Sequence, residues 1–182
     1  MKKKFDLMTI IIIVLGLVVV AGIIFAIVNL KNKNIQDVKE SDGISKIRNL
    51  KFPYFDKEIQ LEDGQYKNQD ETIDAGLLED KVAYGDIDGD KKDDIATVLY
   101  INNGGGKELK YVALVLDKNS DSPKVFSAFI GDRAQINEIK IEGDKIIIKA
   151  KMHLQEDLLV NPTNEKEIIF EFKDGQLLEV VK

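Results

Sequence analysis

The chain has 182 residues, enough for one domain and an appendage, and a formal net charge of −6. Its acidity repels nucleic acid and anionic lipid, which sets polynucleotide binding aside. The absence of cysteine excludes disulfides, thiolate zinc sites and a lipid-modified cysteine.

Met1 to Asp6 is a short basic head carrying Lys2, Lys3 and Lys4. Leu7 to Leu30 has no charged residue, and a helix of roughly 22 residues is about 33 Å long, enough to cross a bilayer core of about 30 Å. A cleaved signal peptide would have a shorter apolar region of about 7–15 residues and a small-x-small cleavage site. The exit from this run, Ala21 to Asn29, offers no Ala-x-Ala, so length favours an uncleaved anchor at 7–30. The tripled lysine favours a cytoplasmic N-terminus and an extracytoplasmic C-terminal domain, against the competing Lys31 and Lys33. Without the charges that precede Lys31, the remainder of the chain is at −8.

Residues 31–49 are polar, of mixed charge and broken by Asp42-Gly43, and read as a linker. A short amphipathic helix using Ile35, Val38, Ile44 and Ile47 is the competing reading, with irregular spacing. From residue 50 to 182 the pattern is strand and turn. Strands are expected at Glu58 to Leu61, then through Gln65-Tyr66 after the Asp63-Gly64 turn, which is a hairpin signal. Lys67 to Gly76 is polar and reads as a loop. Leu77 to Tyr84 leads into an acidic loop. Ile95 to Ile101 and Lys110 to Leu116 are apolar and β-branched, hence buried strands joined by Asn102 to Gly106. Val125 to Ile130, Gln135 to Ile141, Lys145 to Lys151, Glu167 to Phe172 and Gln176 to Val180 follow, with turns at Gly143 and Asp174-Gly175. The fold class expected is all-β or nearly so: antiparallel hairpins of eight to ten strands in a sandwich or open sheet, after one N-terminal transmembrane helix. No internal repeat is visible.

The chemistry concentrates in Gly85 to Asp94, Gly-Asp-Ile-Asp-Gly-Asp-Lys-Lys-Asp-Asp. Asp86, Asp88, Asp90 and Asp94 occupy loop positions 1, 3, 5 and 9. A hard cation such as calcium takes oxygen ligands at this alternation, with a backbone carbonyl at position 7, here Lys92. Asp and Gly are also ordinary turn formers. Four crowded carboxylates repel one another without a cation, which favours the ion. Gly89 would relax the loop, and Asp93 is expected to point into solvent. Magnesium is the minor alternative.

This loop resembles the Asp-x-Asp-Gly-Asp-Gly-x-x-Asp calcium loop of FG-GAP (VCBS-type) repeats, the blade units of integrin-type propellers. Over about residues 58–182 the chain also resembles a family of small bacterial envelope proteins of unassigned activity that carry one such loop. The matching pieces are Gly85 to Asp94, Ile95 to Tyr100, Gly104 to Gly106, Tyr111 to Leu116, Gly131-Asp132-Arg133 and Lys173 to Val180. The resemblance implies an exported, tethered domain. Lys91 stands at position 6 where the FG-GAP loop has Gly, and a non-Gly residue at positive φ costs of order 1 kcal/mol. One copy cannot build a propeller, so propeller function is not implied.

Other candidates are weaker. Asn102 to Gly106 lacks the following helix and Gly-Lys-Ser/Thr signature of a phosphate loop, and reads as a hairpin turn. Arg133 beside Asp132 reads as a turn-locking ion pair rather than an anion site. His153, the only histidine, has no nucleophile in a recognisable context, so catalysis is not expected. Asn161-Pro162-Thr163 fails as a glycosylation acceptor because of the proline. The expectation is a non-enzymatic, calcium-stapled domain with a binding or structural role at the cell envelope. The alternatives are a hydrolase of envelope polymers using paired carboxylates, with Glu138, Glu156 and Asp157 as the available acids, or an inhibitor or assembly partner of another membrane protein.

Overall fold

The structure, a computed structural model, describes residues 17–31, 43–54, 57–68, 72–154, 157 and 161–180. Contacts divide the chain into two compact units, Met1–Asp42 and Gly43–Lys182. In the first, residues 17–31 form a helix, α1, with Leu17, Ile24, Phe25 and Leu30 all exposed. Among the described residues no helix is long and apolar enough to cross a membrane. The head at 1–6 and the first part of the expected anchor, 7–16, lie outside the described residues.

The second unit is mostly antiparallel β-sheet. It begins with a helical turn at residues 43–47, so the expected linker yields its last residues, 43–49, to this unit. The physical reason is Ile47, which is buried against the sheet. β1 (Lys51–Tyr54) and β2 (Lys57–Gln60) make a two-stranded sheet. β3 (Gln65–Asn68), β4 (Ile73–Gly85), β5 (Asp94–Asn102), β6 (Glu108–Leu116) and β7 (Lys124–Asp132) pair in sequence order as a five-stranded sheet. β8 (Gln135–Glu142), β9 (Lys145–Met152), β10 (Asn164–Lys173) and β11 (Gln176–Glu179) form a four-stranded sheet, also in sequence order.

The side-chain period of two sorts the central strands into two cores. Ala96, Val98, Val112, Leu114 and Leu116 point one way and meet Ile136, Ile146, Ile148, Ile168 and Phe170 of the four-stranded sheet. Ile95, Leu99, Ile101, Tyr111, Ala113 and Val115 point the other way and meet Ile47, Phe52, Tyr54, Ile59 and Leu61. The five-stranded sheet is therefore the middle layer of three. Burial on both faces explains why β5 and β6 read as continuous apolar runs rather than alternating ones.

Two expectations change. The segment Lys67 to Gly76 contributes to β3 and β4 rather than being wholly loop, because polar Lys67 and Asp74 are cross-strand partners in a narrow, water-facing pair of strands. β1 was not expected, and with it the described residues hold eleven strands. Pro53 lacks an N–H and argues against a strand by sequence, but a two-stranded sheet tolerates it.

β4 and β5 slip past each other between Leu77 and Val82, so five steps on β4 oppose two on β5. Thr97, wholly buried, donates its hydroxyl to the Lys81 carbonyl at 3.1 Å and supplies a partner that the interrupted ladder leaves missing. Below this bulge the ladder resumes and runs to Gly85 opposite Asp94, the two ends of the acidic loop.

Candidate metal centre

The loop curls because its own carboxylates bind its backbone. Asp86 accepts the N–H groups of Gly89 at 2.8 Å and Lys91 at 2.9 Å, one on each oxygen. Asp88 accepts the Asp90 N–H at 3.0 Å. Asp94 accepts the Ile87 N–H at 3.2 Å. The Asp88 bond is an Asx-type turn, which Asp forms readily, whereas those of Asp86 and Asp94 reach further along the loop and close it. Gly89 (φ 83°) and Lys91 (φ 68°) take the left-handed conformation that the curl demands, and at Lys91 a side chain sits where glycine would be unstrained.

The curl brings carboxylate oxygens of Asp86, Asp88 and Asp94 within 4.8 Å of one another, a cluster that could hold a metal ion. Of the expected ligands, Asp90 is not in that cluster. Its carboxylate pairs with the Lys92 ammonium at 2.7 Å and accepts the Lys92 N–H at 2.8 Å. Lys92 is thus tied into the loop through its amide and its side chain. Asp93, expected in solvent, is half-buried, a consequence of leading directly into the interior position Asp94.

Asp94 is the unusual member. It is only 2% exposed. Burial pushes its carboxyl up to about 6, with the charges of Asp88 and Asp90 adding to the shift and the amides of Ile87 and Asp117 opposing it. A buried carboxylate beside other carboxylates is costly, and a cation is what would relieve it. The Asp117 amide reaches Asp94 because β5 and β6 are paired, and nothing in the sequence spacing signalled that contact. Beside the loop lies a cavity of about 260 Å³ lined by Lys92, Asp93, Asp94, Asp117, Lys118, Asn119 and Ser120.

Arg133, Glu138 and Asp157 have structural partners. Arg133 pairs with Asp132 at 2.8 Å, sits at φ 49° and donates its N–H to the Glu108 carbonyl at 2.7 Å. Asn102 to Gly106 is an exposed hairpin turn with Gly104 and Gly106 left-handed. Glu138 pairs with Lys149 at 2.7 Å. Asp157 accepts from the Leu154 and Thr163 amides and the Thr163 hydroxyl. Glu156 lies outside the described residues. The Nε2 of His153 is buried with no hydrogen-bond partner among the described residues.

No protein-family model, curated protein or solved structure matches the chain.

Proposed function

We propose that the chain is a membrane-anchored, extracytoplasmic β domain whose acidic loop is closed by calcium, with a binding or structural role at the cell envelope and no catalysis of its own. The convergence of Asp86, Asp88 and Asp94 carries the reading. Oxygen-only ligands suit a hard cation. The Lys92 carbonyl would complete the set, and Asp90 would join by exchanging the Lys92 ammonium for the ion. In this role the ion neutralises the carboxylate crowd and pins β4 to β5. The loop's likeness to FG-GAP loops supports calcium over other ions, and the wider likeness to small envelope proteins supports export.

The anchor reading is supported by the apolar, all-round exposed surface of α1, since a helix hydrophobic on every side needs an apolar surrounding. The non-catalytic reading is supported by the engagement of Glu138 and Asp157, two of the three acids available for a hydrolase, in local ion pairs and caps. Binding of a membrane-protein partner fits the same frame.

Extracellular modules bind calcium with Kd of roughly 10⁻⁴–10⁻³ M. At about ten times Kd, linkage adds about 1.4 kcal/mol, which reinforces a hairpin rather than switching a fold. Thermal unfolding with millimolar calcium and with chelator tests the ion. An unchanged midpoint removes it. Retention of the full chain in membranes after alkaline wash, lost on deleting residues 1–30, tests the anchor.

A further inference from the structure

β7 is the last strand of the five-stranded sheet, and among the described residues no strand pairs with its outer side. An open edge offers a row of unsatisfied N–H and C=O groups, and native sheets blunt such edges with charge, proline or short length. The other outer strands follow that rule. β3 and β11 are four residues long. β8 carries Glu138, Lys140 and Glu142 and breaks register between Ile136 and Glu138. β7 is nine residues long, and its stretch from Val125 to Gly131 has neither charge nor proline. Its one irregularity, at Ile130, lies toward its far end. Phe129 on this strand is 49% exposed, while the inner side of its ring meets Tyr111 at 5.3 Å.

We infer that β7 pairs with β7 of a second copy of this chain, antiparallel about a two-fold axis through Ala128, so that two five-stranded sheets become one. The strand is self-complementary in this register. Ser127, whose hydroxyl donates to the Pro53 carbonyl, lies opposite the second copy's Phe129, and the two Phe129 residues become diagonal neighbours with Cα atoms about 7–8 Å apart, within reach of aromatic contact. Lys124, already 3.8 Å from Asp117, comes to the Asp132 end of the other strand, where Asp132 keeps its Arg133 partner, so the strand ends meet without like-charge repulsion. The pairing depends on neither the ion nor the anchor.

The chain has no cysteine, so single introduced cysteines report the register. Full-length Ala128→Cys protein, purified in detergent and mildly oxidised, should become mostly disulfide-linked dimer, because facing residues in an antiparallel pair are about 4.5–5.5 Å apart at Cα, within disulfide reach. Val125→Cys should cross-link about ten-fold less, because its two copies lie about 20 Å apart in this register. Adding Phe129→Lys to Ala128→Cys should cut the cross-linked fraction by about ten-fold through edge protection, while loss of the Phe129–Tyr111 ring contact lowers the melting midpoint only modestly and leaves the fold intact. Equal cross-linking at 125 and 128 overturns the inference. So does absence of cross-linking in Ala128→Cys protein that melts normally, or a dimer fraction indifferent to Phe129→Lys.

Discussion

The Asp94 carboxylate accepts the Ile87 N–H at 3.2 Å, so the ninth position of the acidic loop is tied to its second. An Asn at 94 keeps an oxygen acceptor and removes the buried charge. If calcium closes the loop, Asp94→Asn abolishes the calcium-dependent rise in melting midpoint, which for a gain of about 1.4 kcal/mol should be about 3–6 °C in the parent protein. In chelator the variant should melt no lower than the parent. Paired melts in calcium and in chelator separate this from simple loss of a structural residue, which would lower both.

Asp94 also sets a pH dependence for the metal-free protein. Its folded value of about 6 lies above the unfolded carboxyl range near 4. The folded state therefore holds the proton more tightly. Stability from this group is fully present below about pH 4 and is lost as pH rises through about 6, by up to about 2–3 kcal/mol. Asp80, Asp90, Glu138 and Asp157 are shifted down by hydrogen bonds and lysine partners, so their contributions are lost as pH falls, below this window. Urea midpoints in chelator should decline from pH 4.5 to 7, and Asp94→Asn should flatten the decline.

Lys91 holds a φ of 68° that glycine would adopt without strain. Lys91→Gly relieves about 1 kcal/mol in the folded loop and gives back some of it as unfolded-chain entropy. The expected result is an unchanged or slightly raised midpoint and calcium affinity improved several-fold. Lys91→Ala removes the same charge but keeps the strain, so it should not improve affinity. Equal gains from both variants would point to charge rather than backbone.

Much of this was legible in sequence. The apolar runs Ile95 to Ile101 and Lys110 to Leu116 are the doubly buried β5 and β6. Asp63-Gly64 and Asp174-Gly175 both have positive φ at two successive residues, the tight-hairpin geometry that Asp-Gly prefers. The alternating aspartates gave the curl of the acidic loop. What stayed hidden depends on distant pairing. Ile47 looks like one apolar residue in a polar tether until the middle sheet supplies a face to bury it. Asp117 becomes a neighbour of Asp94 only through the β5–β6 ladder. The ion pair of Asp90 with Lys92, two residues on, is likewise hidden in the spacing, which records position but not where the carboxylate's charge goes in the metal-free loop.

The two sheets approach closely at Gly85, and that contact tests the sandwich itself. A Cβ built at Gly85 would lie 2.7 Å from Ile141 Cγ2 and 3.0 Å from its Cβ. Ile141 is β-branched and stiff, and its branch point is fixed by β8, so Gly85→Ala must push β4 and β8 apart. Gly131 also meets an obstacle, the Cε of Met152. That atom is the free end of a flexible thioether, which can swing away. Gly85→Ala should therefore cost about 1–3 kcal/mol as overpacking, and Gly131→Ala under about 1 kcal/mol. Denaturant melts of the two variants measure the difference. Because Gly85 directly precedes Asp86, the first position of the acidic loop, Gly85→Ala should weaken the calcium-dependent stabilisation as well, whereas Gly131→Ala should leave it intact.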